Sequence, residues 1–249
     1  MRLSPSLLRA GAAGLACLAA CSVPEQKFLA DSSPPGEPFA CHNQPLPTTA
    51  EPQITATGTV IAPFTGNVVA GATVQGFLVG TPVALFTVTT DAAGMFSQDQ
   101  GTGGVPRDAF LKVTASGYAD SYYHPAVPLT TDFDAQIQQL TPADVMTMAA
   151  FGEFSIDAGT GHVFIGVIDC NGAPIRGATV STSPPGTLRY LYQAMPSASA
   201  VATDESGVAL VANLPPGPVT IEAMIDGRLL RSHTLELAAE SIAQAEIQP

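Results

Sequence analysis

Four cysteines, four histidines and five tyrosines carry most of the chemistry open to this chain. Tyr122, Tyr123 and His124 stand together in "SYYHP", and phenolate and imidazole donors of that kind suit a transition metal such as iron. On an extended strand, however, neighbouring side chains point to opposite faces, so the three do not readily converge on one ion. The other histidines, His42, His162 and His233, are distant, and no two are spaced H-x-H. Asp132 and Asp134 in "TTDFDAQ" fall on one side of an alternating strand. There they read as two like charges facing solvent rather than an acid–base couple. The sequence contains no GxSxG elbow, HExxH pair or phosphate loop. It also has neither CxxC zinc spacing nor a calcium-binding loop.

The cysteines point instead to a compartment. Residues 1–21 begin with Arg2 and Arg9 and continue through "GAAGLACLAA", an uncharged run too short to span a bilayer. The run closes on Leu18, Ala19, Ala20 and Cys21, which resembles the bacterial lipobox. In that signal small residues enter a narrow peptidase groove and the cysteine thiol takes the lipid. Cys17 is a rival, but Gly14 stands where a bulky apolar residue is expected. The resemblance implies a lipid anchor on Cys21, stable when two or more acyl chains are present. Ser22 follows, where an aspartate would mark retention at the inner membrane, so the outer membrane is expected. Loss of Arg2 and Arg9 with the leader, and of no acid, takes the formal charge from −12 to −14. A chain this acidic, without a local basic patch, has no footprint for nucleic acid. Cys41 and Cys170 are then the remaining thiols. An oxidising envelope favours their pairing, and two separately buried free thiols are the alternative.

These residues need a framework, and the sequence describes one. Residues 22–52, rich in Pro, Ser and Glu, read as an extended, mobile tether. From Ile54 the texture changes to short alternating runs between Gly, Pro and Asp. "ITATGTVIA", "ATVQGFLV", "PVALFTVTT", "AFLKVTAS" and "DFDAQIQQL" come first. "HVFIGVIDC", "ATVSTS", "LRYLYQ", "VALVANL", "VTIEAMI", "LLRSHTLEL" and "IAQAEIQ" come later. Roughly six or seven strands per half is the count of a small sandwich. Between the halves, "TPADVMTMAAF" offers Thr141 as N-cap, Pro142 at the first helical position and Asp144 near the helix start. Met146, Met148 and Phe151 read as packing between two domains, with a ligand-binding stripe as the alternative.

Two phrases occur twice in the same order, "GATV" at 71–74 and 177–180 and "TDxxG" at 90–94 and 203–207. Asp91 and Asp204 suit the first place of a four-residue turn, and Gly94 and Gly207 the last, with the strands on either side of each turn expected to form a hairpin. "LPPG" at 214–217 adds a third turn. Thr73 and Thr90 are 17 positions apart, Thr179 and Thr203 24, so the second copy carries seven extra residues within "SPPGTLRYLYQAMPSASA". There Tyr190 and Tyr192 fall on one side of a strand and, with Arg189, form a candidate contact surface; burial against the sheet is the alternative.

The order strand, "GATV", "TDxxG", "LPPG", "VTI" resembles the carboxypeptidase regulatory-like domain, a transthyretin-like β-sandwich. The first copy lacks "LPPG" and the second lacks the closing "Gy" of that pattern, which the first supplies as "VTASGYA". The resemblance implies an all-β protein with two tandem sandwiches at residues 53–140 and 161–249. A helical linker at 141–160 joins them. It further implies a structural or protein-interaction role in the envelope, with no catalytic residue and no cofactor. Two alternatives stay open. One is a non-haem iron enzyme related to the intradiol dioxygenases, with Tyr122, Tyr123, Tyr190, Tyr192, His124 and His162 as ligands. The other is a glycan-binding module, disfavoured because tryptophan is absent and aromatics are few.

Overall fold

A computed structural model describes residues 37–249. The first half runs through β1 (Gln53–Ala62), β2 (Asn67–Val68), β3 (Thr73–Leu78), β4 (Ala84–Thr89), β5 (Met95–Gly101), β6 (Ala109–Thr114), β7 (Ser121–His124) and β8 (Phe133–Gln138). Helix α1 (Pro142–Phe151) follows. The second half contains β9 (Gly161–Val167), β10 (Thr179–Ser183), β11 (Thr187–Tyr192), β12 (Met195–Ser197), β13 (Val208–Leu214), β14 (Gly217–Ile225), β15 (Arg228–Leu229), β16 (His233–Leu237) and β17 (Ile242–Ile247). The described chain is an all-β sandwich fold with a single helix among its elements. Four strands lie outside the runs read in the sequence, β2, β5, β7 and β12, and the longest of them is β5, "MFSQDQG". Its Phe96 alone is buried, so no apolar alternation marks it.

Three sheets make the layers. β1, β2, β5 and β8 form one, and β10, β14, β15 and β16 another. The third has nine strands in the order β12-β11-β13-β9-β17-β7-β6-β3-β4 and passes through both halves. The halves meet in that sheet where β17 pairs in parallel with β7, Ile242 opposite Ser121 through Ala245 opposite His124. β17 also pairs in parallel with β9, so the last strand of the chain closes the second half and abuts the first. Each half keeps its own core. Ile54, Val60, Val74, Phe96, Val113 and Ile137 fill the first; Val163, Ile165, Val180, Val211, Ile221 and Ala245 fill the second. The far face of β9, β13 and β17 carries Phe164, Leu210 and Ile242, which α1 covers through Met148. Being sandwiched on both sides explains why β9 and β17 are buried at every position.

The repeated phrases are two halves of one knot. In the first half Thr90 is buried; its hydroxyl accepts from Ala72 N at 2.9 Å and donates to Val69 O at 2.7 Å. In the second half Thr203 does the same with Ala178 N and Ile175 O, at 2.9 and 2.7 Å. Backbone bonds from Gly71 to Thr90 and from Gly177 to Thr203 complete each knot. Gly71 and Gly177 sit at φ +75° and +84°, in the left-handed region that favours glycine. Asp91 and Asp204 hold their turns as expected, Asp91 Oδ1 accepting from Ala93 N and Asp204 Oδ1 from Ser206 N. The turns are not hairpins, however. β4 pairs with β3 and β5 with β1, so "TDAAG" carries the chain from one layer to the other. "TDESG" likewise precedes β13, which pairs with β9 and β11 rather than β12.

Thr141 caps α1 in a capping box with Asp144, each side chain bonded to the other's backbone N–H. Val145, Met148 and Ala149 face the sheet as their spacing predicts. Met146 and Phe151 do not pack between domains; they are 64% and 59% exposed, because α1 lies on the outside of the second half and turns one face to solvent. Residues 37–52, read from sequence as part of a mobile tether, are held in place. Phe39 packs on the second core under Arg228, Arg231 donates to Gln44 O at 3.0 Å, and Ala50 N donates to Gly104 O at 3.0 Å.

Candidate functional site

The tyrosine and histidine cluster is divided by the pleat of β7. Tyr123 enters the first core, where its hydroxyl donates to Glu246 Oε1 at 2.8 Å. Burial, then the charge of Glu246 and its hydrogen bond, and last Asp134, push the phenol well above its ordinary range. His124 is buried on the opposite face, stacked on Phe110 at 5.1 Å with His233 edge-on at 6.0 Å. Burial, with a smaller contribution from His233, lowers its pKa to about 3, so the ring is neutral. Tyr122 lies beneath the Lys112 ammonium at 5.6 Å. His162 belongs to the second half; its Nδ1 accepts from Asn213 N at 3.3 Å, and burial lowers its pKa. Tyr190 is buried there too, its hydroxyl accepting from Val180 N at 3.0 Å. The six residues of the iron-site alternative are thus distributed over both sandwiches and both faces of the long sheet. Among the described residues no three His, Cys, Asp or Glu side chains gather where a metal could be held.

The other chemical residues have local partners. Asp132 Oδ1 accepts from Thr55 N, and Asp134 Oδ1 from the Thr57 hydroxyl at 3.1 Å, so both tie β8 and its lead-in to β1. Cys41 and Cys170 form a disulfide with Cα atoms 5.6 Å apart. It fixes residues 38–44 beside the end of β9, where Cys170 N also donates to Pro38 O at 2.9 Å. Cys21 lies outside the described residues.

Among the described residues two cavities stand out. The first, about 30 Å3, is an apolar void between the layers of the first sandwich, lined by Ile54, Phe86, Leu111 and Phe133. That is room for one water and not for an organic ligand. The second is an open groove of about 380 Å3 between the C-terminal end of α1 and the β11–β12 hairpin. Phe151 and Tyr192 stand on its walls with Met195, Pro196, Gln193 and Glu153. Tyr192 is 60% exposed, so the sequence-predicted pair is split, Tyr190 inward and Tyr192 outward. One wall is the linker helix α1, and the other is the hairpin in the stretch that carries the second copy's seven extra residues.

Arg189 sets the groove rather than lining it. Its guanidinium donates to Gly152 O and Glu153 O, the latter at 3.2 Å, and lies over the Phe154 ring at 5.8 Å. A cation at the helix C-terminus satisfies carbonyls that have no intrahelical partner and complements the helix dipole. The hairpin tip is fixed in turn by Gln193 N donating to Asp204 Oδ2 at 3.2 Å. Sequence reasoning found Tyr192 through its strand spacing. It missed the exposure of Phe151, since a helical stripe does not say which neighbour covers it.

No protein-family model and no curated protein matches the chain. Among solved structures it is similar to the Bacillus anthracis TIE protein, at 13% identity over 79% of this chain and 34% of that one, with a TM-score of 0.29. The shaft pilin SpaA from Lactobacillus rhamnosus GG matches at 14% identity over 81% of this chain and 98% of its own, TM-score 0.24. A catechol 1,2-dioxygenase from Acinetobacter radioresistens matches at 14% identity over 37% of this chain and 53% of its own, TM-score 0.27. The chain therefore spans about a third of the TIE protein and about half of the dioxygenase. Similarities this shallow carry no argument about activity or partners.

Proposed function

We propose that this chain is a non-catalytic lipoprotein of the bacterial cell envelope, anchored through Cys21, that serves as a structural and protein-interaction module. The groove between α1 and the β11–β12 hairpin is its contact surface. One observation carries the reading. Tyr123, His124, His162 and Tyr190 are engaged inside the fold, while the rings of Phe151 and Tyr192 are left in solvent on the two walls of one groove. Exposed aromatics in a concave, preorganised setting are typical anchors for a protein partner. The disulfide fits an oxidising compartment. The aromatic ladder of Phe77, Phe110 and His124 does not favour the glycan alternative, because its rings are stacked on one another and His124 is buried, so no open ring face is left for a sugar to stack on.

Membrane fractionation tests the anchor and elemental analysis tests the iron-enzyme alternative. Wild type should sediment with membranes and Cys21→Ser should not be lipidated. Protein purified in air should carry no stoichiometric iron. Lipidation-independent membrane binding would remove the anchor, and a one-to-one iron content with a tyrosinate colour would replace this reading with the dioxygenase-like one.

A further inference from the structure

The nine-stranded sheet ends at β12 on one side and β4 on the other, and these ends are built differently. β12 has three residues, includes Pro196 and lies against α1. A short edge with a proline is a poor template for another strand. β4, "ALFTVT", pairs only with β3. It carries no charge and no proline, and its exposed and half-buried residues alternate. Phe86 and Val88 rest on the first core, whereas Leu85, Thr87 and Thr89 point outward. A register shift beside Gly76 and Phe77 bends only its start, leaving Phe86 to Thr89 in regular pairing.

The duplication supplies an internal control for the face beside that edge. In the first half Phe77 pairs with Phe110, the rings stacked at 5.3 Å, and His124 continues the row. The equivalent row in the second half is Ser183, Thr220 and Thr234, and the last two share a hydroxyl hydrogen bond at 2.9 Å. The same framework thus carries hydroxyls on that face in one copy and aromatic rings in the other, Phe77 and Phe110 half-buried and His124 buried. The apolar row continues toward the open edge through Leu85, with Val79 and Val83 exposed nearby, Val83 to 72%. The second copy's own open edge, β10, offers only Thr and Ser outward and runs into Pro184 and Pro185.

From this we infer that β4 is a self-association edge: it pairs antiparallel with β4 of a second copy of this chain, continuing the long sheet across a two-fold axis. The chain already extends its sheet by edge pairing, since β7 and β17 join its halves that way. Two-fold pairing sets Leu85, Thr87 and Thr89 of one copy against those of the other, with no charge brought opposite a like charge. In a protein of net charge −12 a neutral strip of this kind is where two copies can approach. A seam this narrow is smaller than the standard stable interface, so association is weak and concentration-dependent in solution. The inference is independent of the groove and of lipidation.

Sedimentation of the mature chain from Ser22 over a wide concentration range tests it. Mass rises toward twice the monomer with concentration, and more strongly at high salt, where mutual repulsion of the acidic copies is screened. Amides of residues 86–89 gain hydrogen-exchange protection over the same range. Thr87→Lys with Thr89→Lys places cations opposite one another and keeps the protein monomeric with an unchanged far-ultraviolet spectrum. As a folding-neutral control, Thr179→Lys on β10 leaves association intact. A wild type that stays monomeric at the highest concentration, or a dimer that the double lysine variant forms equally well, overturns the inference. The first result would also be expected if the edge served a different protein.

Discussion

His124 shows what burial does to a residue that looked reactive in the sequence. Its neighbours are Phe110 and His233, and the neutral ring is the one the fold accepts. With a folded pKa of about 3 against an ordinary 6.5, the unfolded chain binds a proton that the folded chain refuses. Its stabilising contribution is therefore fully present above about pH 6.5 and is lost as pH falls from there toward 3. The slope is at most about 1.4 kcal/mol per pH unit for one proton. His124→Phe should flatten the acid limb of a denaturant-midpoint profile measured between pH 7.5 and 4.5; an unchanged limb would assign the acid sensitivity elsewhere, His162 being the next depressed histidine. The turn residues were legible at this scale because Asp and Gly carry local backbone signals. The role of Thr90 and Thr203 was not, since each bonds across 18 to 28 residues of sequence.

Among the elements, α1 was the easiest to read and the hardest to place. Thr141, Pro142 and Asp144 mark its start unambiguously, while its outer position follows from the β17–β7 joint, which no local pattern announces. The spacing of Val145, Met148 and Ala149 marks the face that packs on the sheet, whereas Met146 and Phe151, read as packing between domains, are exposed. Arg189 is the clamp between this helix and the inserted hairpin. Arg189→Ala removes charge-assisted bonds to Gly152 and Glu153 and should cost about 1.5–3 kcal/mol. Its clearest signature is faster hydrogen exchange at the C-terminal turn of α1 with little change in β14. Arg189→Lys should recover only part of this, because an ammonium cannot reproduce the planar fork or its packing over Phe154. Full recovery by lysine would mean that charge alone holds the helix end.

At the scale of the whole molecule, the duplicated phrases foretold two sandwiches, and the structure adds that they share a sheet. Parallel pairing between the end of the chain and a strand 121 residues earlier, Ile242 opposite Ser121, leaves no periodicity to read. The Cys41–Cys170 bond reinforces this arrangement by closing a separation of 129 residues and holding residues 38–44 on the second half. Loop-closure entropy for a span of that size corresponds to roughly 3–5 kcal/mol. Reduction, or Cys41→Ser with Cys170→Ser, should lower the unfolding midpoint and loosen residues 37–44 while leaving the two cores folded. Loss of all cooperative unfolding on reduction would show instead that the cores depend on the bond.

The contact groove is the part of the account that reaches from these scales to function, and site-specific photocrosslinking in living cells addresses it most directly. A photoreactive phenylalanine analogue at Phe151 or Tyr192 should capture the same envelope protein, and one at Met224, exposed on the opposite layer, should not. Capture at Met224 with silence at both groove positions would contradict the assignment of this surface.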